Sequence, residues 1–198
     1  GCRDEEGSVI KEVLASAELI GRYVEPEVYL KICLSHLKSA STTSVQQTAN
    51  VLKILTTLVK GTSEERIQPH LKGICDAIVN PDVCDTESGD NQEQLLCLVD
   101  VITSKSGEQC KQYSLQLFVV VLYVTSLQRE GILDEMISNC LGSMAVSLQF
   151  ESTEELYKLH ATDVVEKLKE SHTEWTSHSS SRLLFSTLLL NAGPVVGT

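Results

Sequence analysis

The sequence predicts an all-α protein, an α-solenoid of antiparallel helical hairpins. Helix-period apolar stripes fill most of the 198 residues, strand signals are nearly absent, and the pattern returns after 41 residues. In that register Leu30-Lys31 falls on Leu71-Lys72, Leu37 on Ile78, Ile54-Leu55 on Leu95-Leu96 and Leu58 on Val99. A two-helix unit of this length cannot bury its own apolar face and has to stack on its neighbours. Stacked helices make long surfaces rather than catalytic clefts, so the first functional expectation is a protein that holds other proteins.

The elements follow in order. A first helix over about 8–20 carries Val9, Ile10, Val13, Leu14, Ala17 and Ile20, with Gly21 as its expected stop. A second, 25–40, opens at Glu25-Pro26, where a missing N–H costs nothing, and places Leu30, Leu34 and Leu37 on one stripe. A third, 44–60, carries Val51, Leu52, Leu55, Leu58 and Val59 and ends at Gly61. The fourth, 63–80, is expected to start with a Thr62/Glu65 capping box and to end at Asn80-Pro81. The acidic segment 82–90 then reads as a solvated, mobile loop before a fifth helix near 91–105.

The sixth helix, 108–127, is apolar all round from Leu117 to Val124, as expected of a helix covered on both sides. Gly131 opens a seventh, 131–149, with Ile132, Leu133, Met136, Ile137, Cys140, Leu141 and Met144 in its stripe. An eighth, 153–170, carries Tyr157, Ala161, Val164 and Leu168, and a ninth spans about 181–190. The expected hairpins are (25–40, 44–60), (63–80, 91–105), (108–127, 131–149) and (153–170, 181–190), one array over 1–198, with 8–20 as the second helix of a preceding repeat.

Composition narrows the function. The net charge of −11 makes nucleic acid and anionic membrane surfaces poor partners and leaves basic protein segments as good ones. Seven cysteines at scattered positions form no Cys-x-x-Cys pair and sit mostly inside apolar stripes, as small hydrophobes in a reducing compartment. No signal peptide is read at the polar, acidic start, and no apolar run approaches the roughly 18 residues of a membrane span.

Few residues are candidates for a site. Asp82, Asp85, Glu87 and Asp90 offer a docking point for a basic partner; the spacing of Asp85, Glu87 and Gly89 does not fit a calcium loop. Trp175, in a polar stretch between His172 and His178, is either an interface anchor or a cap folded onto the last hairpin. No catalytic, metal or cofactor motif is found, so no catalytic residue, metal ligand or cofactor is expected.

The hairpin Glu25-Pro26-Glu27-Val28-Tyr29-Leu30-Lys31 followed by Val45 to Lys60 resembles a HEAT repeat. The stretch Ala17 to Glu27, with Trp175 to Ser179 and Leu183 to Gly193, is similar to the C-terminal part of the HEAT-repeat axonemal dynein assembly factors. That resemblance implies a non-enzymatic cytoplasmic scaffold that helps pre-assemble dynein arms for motile cilia. Its implied partners are axonemal dynein chains and other assembly or chaperone factors. The rival reading is a nuclear-transport or trafficking adaptor of HEAT/armadillo type.

Overall fold

A computed structural model describes residues 2–170 and 179–192, with side chains from residue 11 to 169 and from 179 onward. The described residues form α-helices and short 3-10 turns and contain no strand. In chain order the helices are α1 (Cys2–Tyr23), α2 (Pro26–Lys38), α3 (Val45–Gly61), α4 (Glu64–Ile67) and α5 (Leu71–Ile78). They continue as α6 (Pro81–Cys84), α7 (Gly89–Ser106), α8 (Cys110–Leu127), α9 (Asp134–Ser147), α10 (Thr153–Glu170) and α11 (Ser180–Ala192).

The helices stack in two rows. One row runs α1, α3, α7, α9, each packed on the next; the other runs α2, α5, α8. The hairpins α2–α3, α4/α5–α7 and α8–α9 tie the rows together, and one apolar core runs between them. This is the all-α solenoid that the periodicity predicts. The repeat also shows in the polar contacts between neighbouring units. Thr62 to Gly21, Lys105 to Thr62, Gln116 to Asp76 and Cys140 to Leu96 span 41, 43, 40 and 44 residues.

Several local expectations are corrected. Gly21 does not stop the first helix, which continues to Tyr23. A Cβ at Gly21 would lie 2.1 Å from the Leu58 carbonyl oxygen, and one at Gly61 would lie 2.3 Å from that of Glu18. The two glycines let α1 and α3 touch backbone to backbone. The fourth predicted helix is broken. Pro69 has no N–H to give and its ring crowds the preceding turn, so the chain passes through a 3-10 turn at 68–70 between α4 and α5. Ile67, Leu71 and Ile74 still reach the core.

Thr62 is not the expected cap. It is fully buried, and its hydroxyl lies 2.7 Å from that of Tyr29, 2.7 Å from Leu58 O and 3.0 Å from Gly21 O. Since a hydroxyl carries one proton, Thr62 accepts from Tyr29 and donates to a carbonyl. Arg66 completes this junction. Its guanidinium donates to the carbonyls of Gly21, Arg22 and Val24 at 3.4, 2.9 and 2.5 Å. Arg22 O and Val24 O, at the end of α1, would otherwise lack partners, and a cation suits the negative end of a helix. Lys105 Nζ likewise donates to Thr62 O, just past α3, at 2.7 Å.

Further along, Gly131 is a turn residue at φ +68, α9 starts only at Asp134, and Ile132 is exposed rather than part of the stripe. α8 is apolar all round because α5, α7, α9 and α11 all pack on it. The last hairpin departs from the regular stack. α10 lies on α9 and α8, but α11 folds back onto α8 and α10 instead of joining the α9 row. Two contacts record this: Ser126 to Thr187 spans 61 residues and Ser180 to Asp85 spans 95.

Candidate protein-binding surface

The acidic segment 82–90 is folded rather than a featureless loop. Asn80 Oδ1 accepts from Asp82 N–H at 3.0 Å and starts the single turn of α6, with Pro81 in first position. Val83 and Cys84 point inward and are buried, and α6 packs against the 3-10 turn at 40–42 and against α8. Ser88 N–H donates to Thr86 Oγ1 at 3.2 Å, and Gln92 Nε2 donates to Thr86 O at 2.8 Å. Ser88 caps α7 by accepting from Asn91 N–H at 3.4 Å, so α7 begins at Gly89, ahead of the expected start at Asn91.

This anchoring leaves Asp82, Asp85, Glu87 and Asp90 exposed on one acidic turn. Two of the four already have partners. Ser180 Oγ donates to Asp85 Oδ1 at 2.6 Å, and Arg129, on the α8–α9 turn, forms an ion pair with Glu87. The side chains of Asp82 and Asp90 have no polar partner among the described residues. Trp175, His172 and His178 lie outside the described residues.

The acidity continues onto α7. Asp90, Glu93, Cys97 and Asp100 follow helical spacing, and Glu93 and Asp100 are exposed on the face that carries the partly exposed Cys97. Asp100 accepts from Ser143 of α9 at 3.3 Å, and the charge of Lys53 on α3 also reaches Cys97. A cleft of about 340 Å³ sits where this ridge meets the α8–α9 turn, lined by Glu87, Asp90, Glu93, Gln128, Arg129 and Ile132. A second, apolar groove of about 470 Å³ lies between α1 and α2, lined by Val13, Ala17, Ile20, Ile32 and Cys33. Val13, Ile20 and Ile32 are exposed there.

The chemistry of the titratable groups is that of packing. Burial pushes the thiols of Cys75, Cys84 and Cys140 up to about 12 and that of Cys33 up to about 11, far from a reactive thiolate. Among the described residues no group of three or more His, Cys, Asp or Glu side chains gathers as metal ligands would. No helix among them is long and apolar enough to cross a membrane.

His160, one of five dispersed histidines that the sequence offers as ordinary loop and helix-face residues, is not on an exposed face. It is buried on α10 with no partner for Nε2, its ring 5.3 Å from that of Phe118. Its position, three residues after Tyr157 and four before Val164, was the available signal.

Comparison with known proteins places this architecture. A family model described as dynein axonemal assembly factor 5, HEAT-repeat domain, matches residues 1–128. Curated relatives named dynein axonemal assembly factor 5 match over 197 residues: 34% identical in Homo sapiens, 33% in Mus musculus and 32% in Xenopus laevis. Each match covers 99% of this chain, which spans only 22–23% of the length of those relatives. No solved structure matches significantly. With its two-row helical stack and a family match over most of its length, the chain belongs to the HEAT-repeat family of dynein axonemal assembly factor 5.

Proposed function

We propose that this chain is a non-catalytic, protein-binding scaffold that serves the pre-assembly of axonemal dynein arms in the cytoplasm. Membership of the family carries the reading, through the name that its relatives bear. Residues 1–198 act in it as one array. The partners are axonemal dynein chains and other assembly or chaperone factors. The exposed acidic turn of Asp82, Asp85, Glu87 and Asp90 supports a basic protein partner, as does the α7 ridge of Glu93 and Asp100. A partner seated there makes many weak charged contacts spread over adjacent repeats rather than filling one deep pocket. Trp175 serves as an apolar anchor for the same partner.

Co-precipitation of purified axonemal dynein chains with the tagged protein tests this. The expected result is capture that weakens as salt is raised, because exposed charges are screened over a Debye length of about 8 Å at physiological ionic strength. The combined Asp82→Asn, Glu87→Gln, Asp90→Asn and Glu93→Gln variant should lose capture without losing helicity. Capture that ignores both salt and these substitutions would place the contact on an apolar surface instead. Retention of a small GTPase or of basic localisation peptides, with no dynein chain, would favour a transport adaptor.

A further inference from the structure

We propose that α10 and α11 form a detachable cap on the stack, seated on α8 while the His160 imidazole is neutral and released when it takes up a proton. Three observations carry this. First, the hairpin does not continue the regular stack. Polar contacts between the regular units span 40–45 residues, whereas α11 is held by Ser126–Thr187 and Ser180–Asp85 at 61 and 95.

Second, the seat is built around one face of α8. Phe118 stands edge-on to Tyr157 of α10, with centroids 5.0 Å apart, and tilted against His160 at 5.3 Å. Leu184 and Leu188 of α11 are buried beside it. Third, the seat contains a polar atom with nothing to bond. His160 is 4% exposed and its Nε2 has no partner, in a structure where only Asn91 Oδ1 shares that condition among the described side chains. A neutral ring tolerates this site, but an imidazolium would bury a charge without an acceptor.

The surroundings offer that charge little help. One turn away on α10 stand Leu156, Tyr157, Asp163 and Val164. The charged side chains of the helices packed on α10 are Lys111 on α8, Asp134 and Glu135 on α9 and Arg182 on α11, all exposed. Burial lowers the affinity of His160 for a proton, and only Asp163, itself exposed, opposes this. The neutral form is therefore the one that fits the seat, and the open form takes up a proton more readily. Seating is at full strength above the ordinary imidazole value near about 6.5 and weakens as pH falls below it. Release uncovers the Phe118 face of α8 and frees Asp85 from Ser180, so the cap also governs part of the acidic turn.

Hydrogen exchange resolved by residue, on the whole chain between about pH 7.5 and about pH 5 and corrected for intrinsic rates, tests the proposal. The expected result is that protection of α10 and α11 amides falls by up to about tenfold per pH unit below about 6.5, while α3 and α7 stay unchanged. His160→Phe keeps the ring packing without the titration and should hold its protection across the same range. Unchanged protection in the wild-type hairpin would overturn the proposal, as would the same acid response in His160→Phe. If that variant does not fold, the imidazole titration of the wild type by NMR still decides: a value at or above about 6.5 for His160 would refute it.

Discussion

Substituting Gly21 by alanine tests the backbone contact between α1 and α3. The new Cβ would lie 2.1 Å from Leu58 O and 3.0 Å from Leu58 C. A tolerable contact begins at about 3 Å, so the two helices must part by about 1 Å. Overpacking of this kind costs about 1–3 kcal/mol. The shift also pulls Gly21 O away from Thr62 Oγ1, now 3.0 Å distant, for about 1 kcal/mol more. Alanine returns about 1 kcal/mol through helix propensity. The net is a loss of about 1–3 kcal/mol, equivalent in a chain of this size to a fall in Tm of about 2–12 °C.

Gly142 supplies the control. It lies within α9, and a Cβ there would meet nothing within 4 Å. Gly142→Ala should therefore stabilise, by about 0.5–1 kcal/mol. Urea titration followed by far-UV circular dichroism measures both variants, and hydrogen exchange over residues 12–23 detects a loss confined to α1. A Gly21→Ala protein as stable as Gly142→Ala, with α1 protection intact, would show that the glycine contact does not set the spacing of the first two repeats.

Three more outcomes are expected. Thr62→Val strands the buried Tyr29 hydroxyl and should cost about 1–3 kcal/mol, with the Tyr29→Phe/Thr62→Val double variant losing less than the sum of the singles in urea titrations. Arg66→Met removes donors from three carbonyls and should cost about 1.5–3 kcal/mol, read as faster exchange at the C-terminal end of α1. Among cysteines with described side chains, Cys97 should react first with a disulfide reagent at about pH 8, as mass spectrometry would show. Burial leaves Cys33, Cys75, Cys84 and Cys140 no more than about one thiolate in a thousand at that pH, and their reactivity should rise only as the solution becomes more alkaline.

The two-row stack was legible because a 41-residue shift repeats the core-facing leucines, and core burial is what periodicity encodes. Gly21 and Gly61 looked alike as helix stops, yet only Gly61 ends one. A sequence does not distinguish a glycine that terminates from one that admits a neighbouring backbone. Pro69 was hidden because the apolar spacing of Ile67, Leu71 and Ile74 survives the break. The stripe of Leu184 and Leu188 would suit α8 or α9 equally, so the turn of α11 onto α8 could not be read ahead. Exposure of the acidic turn was legible from its polarity. The pairing of Glu87 with Arg129 was not, because nothing local links residues 42 apart.

The two lengths of contact in this molecule set a timetable for its synthesis. A unit that needs only the next forty or so residues can lock as soon as they leave the ribosome, so the early repeats are able to assemble in sequence while the rest is still being made. The bond from Ser180 to Asp85 cannot form until a further 95 residues have followed Asp85. α11 must then find a surface laid down long before it, which makes it the last of the described helices to settle and leaves the α8 face as a sticky helical surface that a chaperone could hold in the meantime.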